Sequence, residues 1–260
     1  MFSDPNYVDT GSGISGEVSN LVAALVAKGC IVNNFTGTSA AAFSGALSGA
    51  AILYIPEMEI GGLAGALDAS ARSVISNFVS GGGGLIIHGT DGSYDETLLN
   101  QIFGYSLVGV YVSPGNQVLS GDEAGTAFAG GPSPISENNG TYEWQKSSLP
   151  AGALSIYEDS SALYTTVAVI PCGQGRVVFL AYDWYDAVPR GSQDGGWDEV
   201  LERALVAAVA GDSNPDTDGD GMPDWWETQY GLDPNASNAP GSDWDNDWSS
   251  DLEEYWADTH

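Results

Sequence analysis

The residue spacing with the plainest chemistry lies near the end of the chain. Asp216, Asp218, Asp220, Asp224 and Glu227 take positions 1, 3, 5, 9 and 12 of a twelve-residue loop. Gly221 stands at position 6, where a sharp turn is needed, and Met222 at position 7 offers a backbone carbonyl. This spacing wraps one stretch of chain around a hard cation that takes about six to eight oxygens, and calcium suits it. The pattern recurs 27 residues later. Asp243, Asp245, Asp247, Asp251 and Glu254 fill the same positions, with Ser249 at position 7 and Trp248 where the turn glycine should be. A side chain at positive φ costs roughly 1 kcal/mol, so the second of two calcium sites is expected to be the weaker. Without metal the carboxylates of each loop repel. A segment this short also holds itself together poorly, so metal binding and folding are expected to be coupled there. The bland alternative is a solvated acidic tail. Carboxylates in register in two loops, together with Trp225, Trp226, Trp244, Trp248 and Trp256, argue against it.

A second group of candidates follows the predicted strands of the preceding chain: Asp4, Glu57, His88, Asp91 and Asp183, with Glu59 close behind Glu57. In open α/β sheets ligands sit beyond the carboxyl ends of the strands. Carboxylates converging there could hydrogen-bond a sugar, hold a cation or act as acid and base. They could equally cap helices and line loops. His88 is the one histidine besides the terminal His260, and a histidine hydrogen-bonded at a sheet end is the competing reading to a base or ligand. Cys30 opens a strand and Cys172 sits in a turn, so neither lies at a nucleophile elbow. They form a disulfide only if the fold brings them together.

The elements that must position these groups alternate. Ile14, Val18, Leu21, Val22, Leu25 and Val26 recur at helical spacing before Gly29. Further helices are expected over 40–47, 67–79, 95–103 and 197–209. Strands are expected at Met1-Phe2, 31–35, 51–55, 85–88, 153–158, 162–170 and 175–182, with a hairpin turn at Cys172-Gly173-Gln174-Gly175. Apolar strands alternating with helices predict a flavodoxin-like three-layer α/β sandwich with a mostly parallel sheet and antiparallel additions at one edge. The Met1-Phe2 stub suggests that upstream sequence is missing or that the strand is completed by other means.

Charge divides the chain. It has 35 acids against 6 bases, a formal net charge of −29 and 43% hydrophobic residues. Residues 212–260 hold 14 of the acids and no Lys or Arg. The shift predicts two domains, an α/β domain over 1–211 and a calcium-loop module over 212–260. So few cations exclude a nucleic-acid partner, because phosphate neutralisation needs Lys and Arg. No apolar run of about 18 residues exists, so no membrane insertion is expected. The N-terminus carries no basic, apolar signal; if the protein is exported, the signal lies outside this chain.

The tail resembles the loop-helix halves of dockerins and the bacterial calcium repeats likened to thrombospondin type 3, on Asp216 to Glu227 followed by Gly231-Leu232-Asp233-Pro234. The α/β part resembles the class I glutamine amidotransferase-like superfamily, and within it the ThuA-like group. The residues behind this are Asp4-Pro5-Asn6, Gly82 to Asp91 and Gly175 to Trp184. The resemblance implies a cysteine nucleophile after a central strand and a histidine after a late one. Here those places read Gly89-Thr90-Asp91-Gly92 and Tyr182-Asp183-Trp184. The leading expectation is therefore a non-catalytic, calcium-stabilised binding or structural protein, extracellular or on a cell surface, meeting itself or another surface protein. The first rival is a carbohydrate-processing enzyme of ThuA-like type, using the strand-end carboxylates and His88. The second is a calcium-dependent adhesion or docking module.

Overall fold

The computed structural model describes residues 1–90, 92–111, 115–136 and 142–209, and 218, 220, 222, 227–228, 230–237, 241–244, 249–251 and 254 toward the C-terminus. The chain divides into two compact units, Met1–Gly211 and Asp212–His260. In the first, the helices are α1 (Glu17–Ala27), α2 (Ala40–Leu47), α3 (Ala69–Ser80), α4 (Tyr94–Phe103) and α5 (Trp197–Val209). The strands are β1 (Ile52–Ile55), β2 (Gly84–His88), β3 (Gly109–Tyr111), β4 (Asn116–Leu119), β5 (Ile135–Ser136), β6 (Tyr142–Gln145), β7 (Leu154–Glu158), β8 (Tyr164–Cys172) and β9 (Gly175–Leu180).

The sheet runs β1-β2-β9-β8-β7-β4-β5, and β6 pairs with the start of β8 and carries β3. Only β1 with β2 and β2 with β9 are parallel. The other pairings are antiparallel. The fold is thus mixed α/β with a curled, partly parallel sheet, which corrects the expectation of a mostly parallel flavodoxin-like sandwich. The reason lies in the connections. A parallel pair needs a crossover, and α3 supplies one between β1 and β2. Between β8 and β9 there is only a hairpin, Cys172 facing Gly175 across Gly173 at φ +59°, and a hairpin can join only antiparallel neighbours. The strand expected at 31–35 shrinks to one bridge, Phe35 with Phe2.

Burial follows the apolar pattern. Every residue of β2 is buried, as a strand covered on both faces requires. Ala71, Ile75 and Val79 turn the inner face of α3 to the core, and the Asp68 carboxylate caps that helix by accepting from Ala71 N at 2.8 Å. α5 buries Val200, Leu201, Ala204, Ala207 and Ala208. It rides so close to β2 that a Cβ on Gly84 would stand 2.5 Å from the Ala208 carbonyl oxygen. Trp144 of β6 stacks on Phe179 of β9 with ring centroids 3.7 Å apart, which ties the antiparallel half of the sheet to the parallel half. No described helix is long and apolar enough to cross a membrane.

In the second unit, the chain turns at Gly231 (φ +83°), where Leu232 N donates to Glu227 O at 2.7 Å. Buried Asp251 accepts from Trp244 N at 2.9 Å and from Ser242 Oγ.

Candidate functional site

Three elements of the first unit deliver carboxylates to one place. β1 ends at Ile55, and Pro56 stops the ladder and passes the chain to Glu57. β9 ends at Leu180 and the chain runs on to Asp183, whose Oδ1 accepts from Tyr185 N at 2.6 Å. α1 begins at Glu17. Its N-cap, Gly16, has no side chain to offer, and Asp9 substitutes, accepting from Glu17 N at 3.3 Å and from Gly11 N at 2.7 Å. Glu17, Glu57 and Asp183 each present an oxygen within 4.8 Å of the others, and so do Asp9, Glu17 and Glu59.

The electrostatics follow from that crowding. Burial pushes the Glu17 carboxyl up to about 9, and the charges of Asp183, Glu59 and Asp9 push the same way. Glu17 also shares a hydrogen bond with Glu59. The helix N-terminus favours an anion at this position, and it is outweighed. Burial raises Glu57 well above the ordinary carboxylate value, followed by the charges of Glu17, Asp183, Glu59 and Asp95. Desolvation and like charge disfavour the ionised form together.

The other strand-end candidates do different work. His88 is fully buried, and both ring nitrogens are engaged. Nδ1 donates to Tyr182 O at 2.9 Å; Nε2 accepts from the Tyr54 hydroxyl at 2.6 Å and from Trp184 Nε1 at 3.3 Å. Burial lowers its pKa to about 4, so it stays neutral and is no base for a substrate. Asp4 is an organiser of the loop that follows it: it accepts from Asn6 N at 3.1 Å, Asn6 Nδ2 at 2.8 Å and Gly37 N at 3.0 Å. The backbone N–H of Asn6 holds its carboxyl below the usual range. Asp91 lies outside the described residues. Tyr182 stacks on Trp197 at 4.9 Å and meets Trp184 edge-on, so that aromatic cluster is packing between β9 and α5. Cys30 and Cys172 are free thiols.

Glu17 and Asp9 escape a reading by strand ends, because they sit in the loop and helix start after the Met1–Ser3 segment. The available signal was a single acid at the first position of a strong amphipathic helix, just after a Gly- and Ser-rich run.

In the second unit, Asp218, Asp220 and Glu227 bring carboxylate oxygens within 4.8 Å of one another, and Glu227 is fully buried. Asp218 Oδ1 accepts from Asp220 N at 3.3 Å, and Asp220 Oδ1 from Met222 N at 3.0 Å. Asp216, Asp224, Asp245 and Asp247 lie outside the described residues. In the second loop Asp251 serves Ser242 and Trp244. Glu254 is buried and its N–H bonds to Ser250 O at 2.9 Å.

No family model matches the sequence, and no curated protein matches it. Solved structures do match. A cytoplasmic protein of Salmonella typhimurium is 12% identical, with a TM-score of 0.54 over 74% of this chain and 87% of that one. The mmIFT52 N-terminal domain is 12% identical, with a TM-score of 0.51 over 82% of this chain and 98% of that one. A ThuA-like protein from Bacteroides uniformis is 10% identical, with a TM-score of 0.48 over 78% and 86%. β-Galactosidases and an exo-β-1,4-mannosidase match at TM-scores of 0.43 to 0.47 over 27% to 35% of their own lengths. The distant structural neighbours with TM-scores above 0.5 thus support the mixed α/β fold of the first unit.

These findings correct three expectations. An extracellular or cell-surface protein was read from acidity and calcium loops; the fold is shared with a protein described as cytoplasmic, so that reading does not stand. The reading of a non-catalytic domain from the missing cysteine and histidine does not stand either, because their absence excludes only the chemistry that uses those two residues. The structural-protein function built on both falls with them. None of the matches supports the likeness of the tail to dockerins or thrombospondin repeats.

Proposed function

We propose that the first unit is a carbohydrate-processing enzyme whose active site is the acidic cluster formed by Glu17, Glu57 and Asp183, with the more exposed Asp9 and Glu59 beside it. The observation that carries this reading is the convergence of these carboxylates from β1, β9 and α1 beyond the strand ends. Folding alone gives no return for burying like-charged groups together, whereas a site that grips hydroxyls and moves their protons needs them. Acid and base groups of this type act on glycosidic bonds. The ThuA-like fold and the matched glycosidases agree with a sugar as the substrate class. His88 takes no part; its ring nitrogens hold Tyr54, Tyr182 and Trp184 together.

The test is turnover of a panel of nitrophenyl glycosides and disaccharides by the full chain. At least one should be cleaved, and Asp183→Asn should lower the rate on the order of 10²-fold. Equal turnover in Asp183→Asn, or no sugar bound by saturation-transfer NMR, contradicts the reading.

A second reading concerns the tail, and the cluster of Asp218, Asp220 and Glu227 favours it. We read residues 212–260 as a module in which the loop from Asp216 to Glu227 takes one calcium ion. The all-oxygen donor set fits a hard cation. The loop from Asp243 to Glu254 is the poorer of two sites, because its Asp251 is already engaged by Ser242 and Trp244. Calcium should raise the melting temperature of the wild-type chain more than that of Glu227→Gln.

A further inference from the structure

The strand-end carboxylate cluster has a property beyond acidity. Glu57 is 8% exposed and Glu17 6% exposed, and Oε2 of each is buried without a hydrogen-bond partner. A carboxylate oxygen removed from water and left unmatched costs about 1–3 kcal/mol or more. Here two such oxygens lie in a group that also includes Asp183. Three of the six side-chain cations are committed to other carboxylates. Lys28 is engaged by Asp198 and Glu202, Lys146 by Glu158 and Arg203 by Glu199. The charges that act on Glu57 are all carboxylates.

We propose that Glu17, Glu57 and Asp183 bind one divalent cation, with Asp9 and Glu59 beside it on the exposed side. The donors are oxygen only, with no cysteine in the group and with both nitrogens of His88 spent elsewhere. That composition selects magnesium, manganese or calcium over zinc. Size agrees. Two oxygens across one ion stand about 4.2 Å apart on magnesium and about 5 Å apart on calcium. The three oxygens lie within 4.8 Å of one another, close enough for one ion of either size to bridge them. Glu17 belongs to both carboxylate groups, so one ion there draws all five side chains together. For the purpose of the ion, though not for its presence, this rests on the carbohydrate reading: a hard cation at the cluster would take neighbouring hydroxyls of a sugar as its remaining ligands.

The experiment titrates Mn²⁺ into the full chain, following free Mn²⁺ by electron paramagnetic resonance. Glu227→Gln and Glu254→Gln are present throughout, so that both tail loops are weakened. One ion should bind, and Glu57→Gln or Glu17→Gln should weaken it at least tenfold. Mn²⁺ should also raise the melting temperature of the parent chain and not that of either variant. Unchanged Mn²⁺ affinity in both variants, or no binding to the parent, overturns the proposal. Should one variant fail to fold, the other decides. Binding without sugar turnover leaves the cation site standing and sinks the carbohydrate reading. Sugar turnover with no cation bound does the reverse.

Discussion

In the strand-end carboxylate cluster, burial and like charge act on Glu17 and Glu57 in the same direction, and the fold bears the cost. Replacing one of these buried acids by its amide removes the cost of desolvating and protonating it, and should therefore help folding while it harms chemistry. Glu57→Gln is expected to raise stability in metal-free buffer by about 1 kcal/mol, read from urea midpoints. His88 lies on the other side of the ledger between role and stability. Its folded pKa of about 4 is below the ordinary value of 6.5, so the unfolded chain binds the proton more readily. Stability is unaffected by this group above about pH 6.5, falls as the pH drops toward 4, and then levels, for a total of about 3 kcal/mol. The difference in unfolding free energy between wild type and His88→Gln, measured across that range, isolates the effect. A His88 imidazole that titrates near 6.5 by NMR would contradict it.

At the level of elements, close approach and capping carry the arrangement. A Cβ on Gly175 would lie 2.1 Å from the Val79 carbonyl oxygen and 2.2 Å from that of Gly83. Gly175→Ala should thus displace the β8–β9 hairpin from α3 and cost about 2 kcal/mol or more, seen as a lower thermal midpoint. Loss of the α3 cap in Asp68→Ala should cost about 1 kcal/mol. Much of this level was legible in the sequence. The apolar periodicities of α1, α3 and α5, the runs that became β1 and β2, and the hairpin at Cys172–Gly175 all read directly. Partner choice did not, because it depends on which sheet edge is open when a short connection brings a strand back. The stretch from 105 to 150 carries no clear period, so β3 to β6 were hidden. Glu57 and Asp183 could be read from their place after strands. Glu17 could not, since nothing in helical spacing says which end of a sheet the helix start will meet.

For the molecule as a whole, a net charge of −29 with 6 cations means that self-repulsion opposes the compact state. Raising monovalent salt to about 0.5 M should therefore raise the melting temperature, where a protein held by surface ion pairs would lose stability. The two units should answer to different changes. Glu227→Gln should alter the tail's response to calcium and leave sugar turnover alone, because that residue belongs to the second unit. The most direct measurement is kcat/KM of the full chain and of Glu57→Gln on the best-cleaved glycoside, with both shown to be folded. A fall on the order of 10²-fold or more in Glu57→Gln is the expected result. Equal values would place the chemistry somewhere other than this carboxylate cluster.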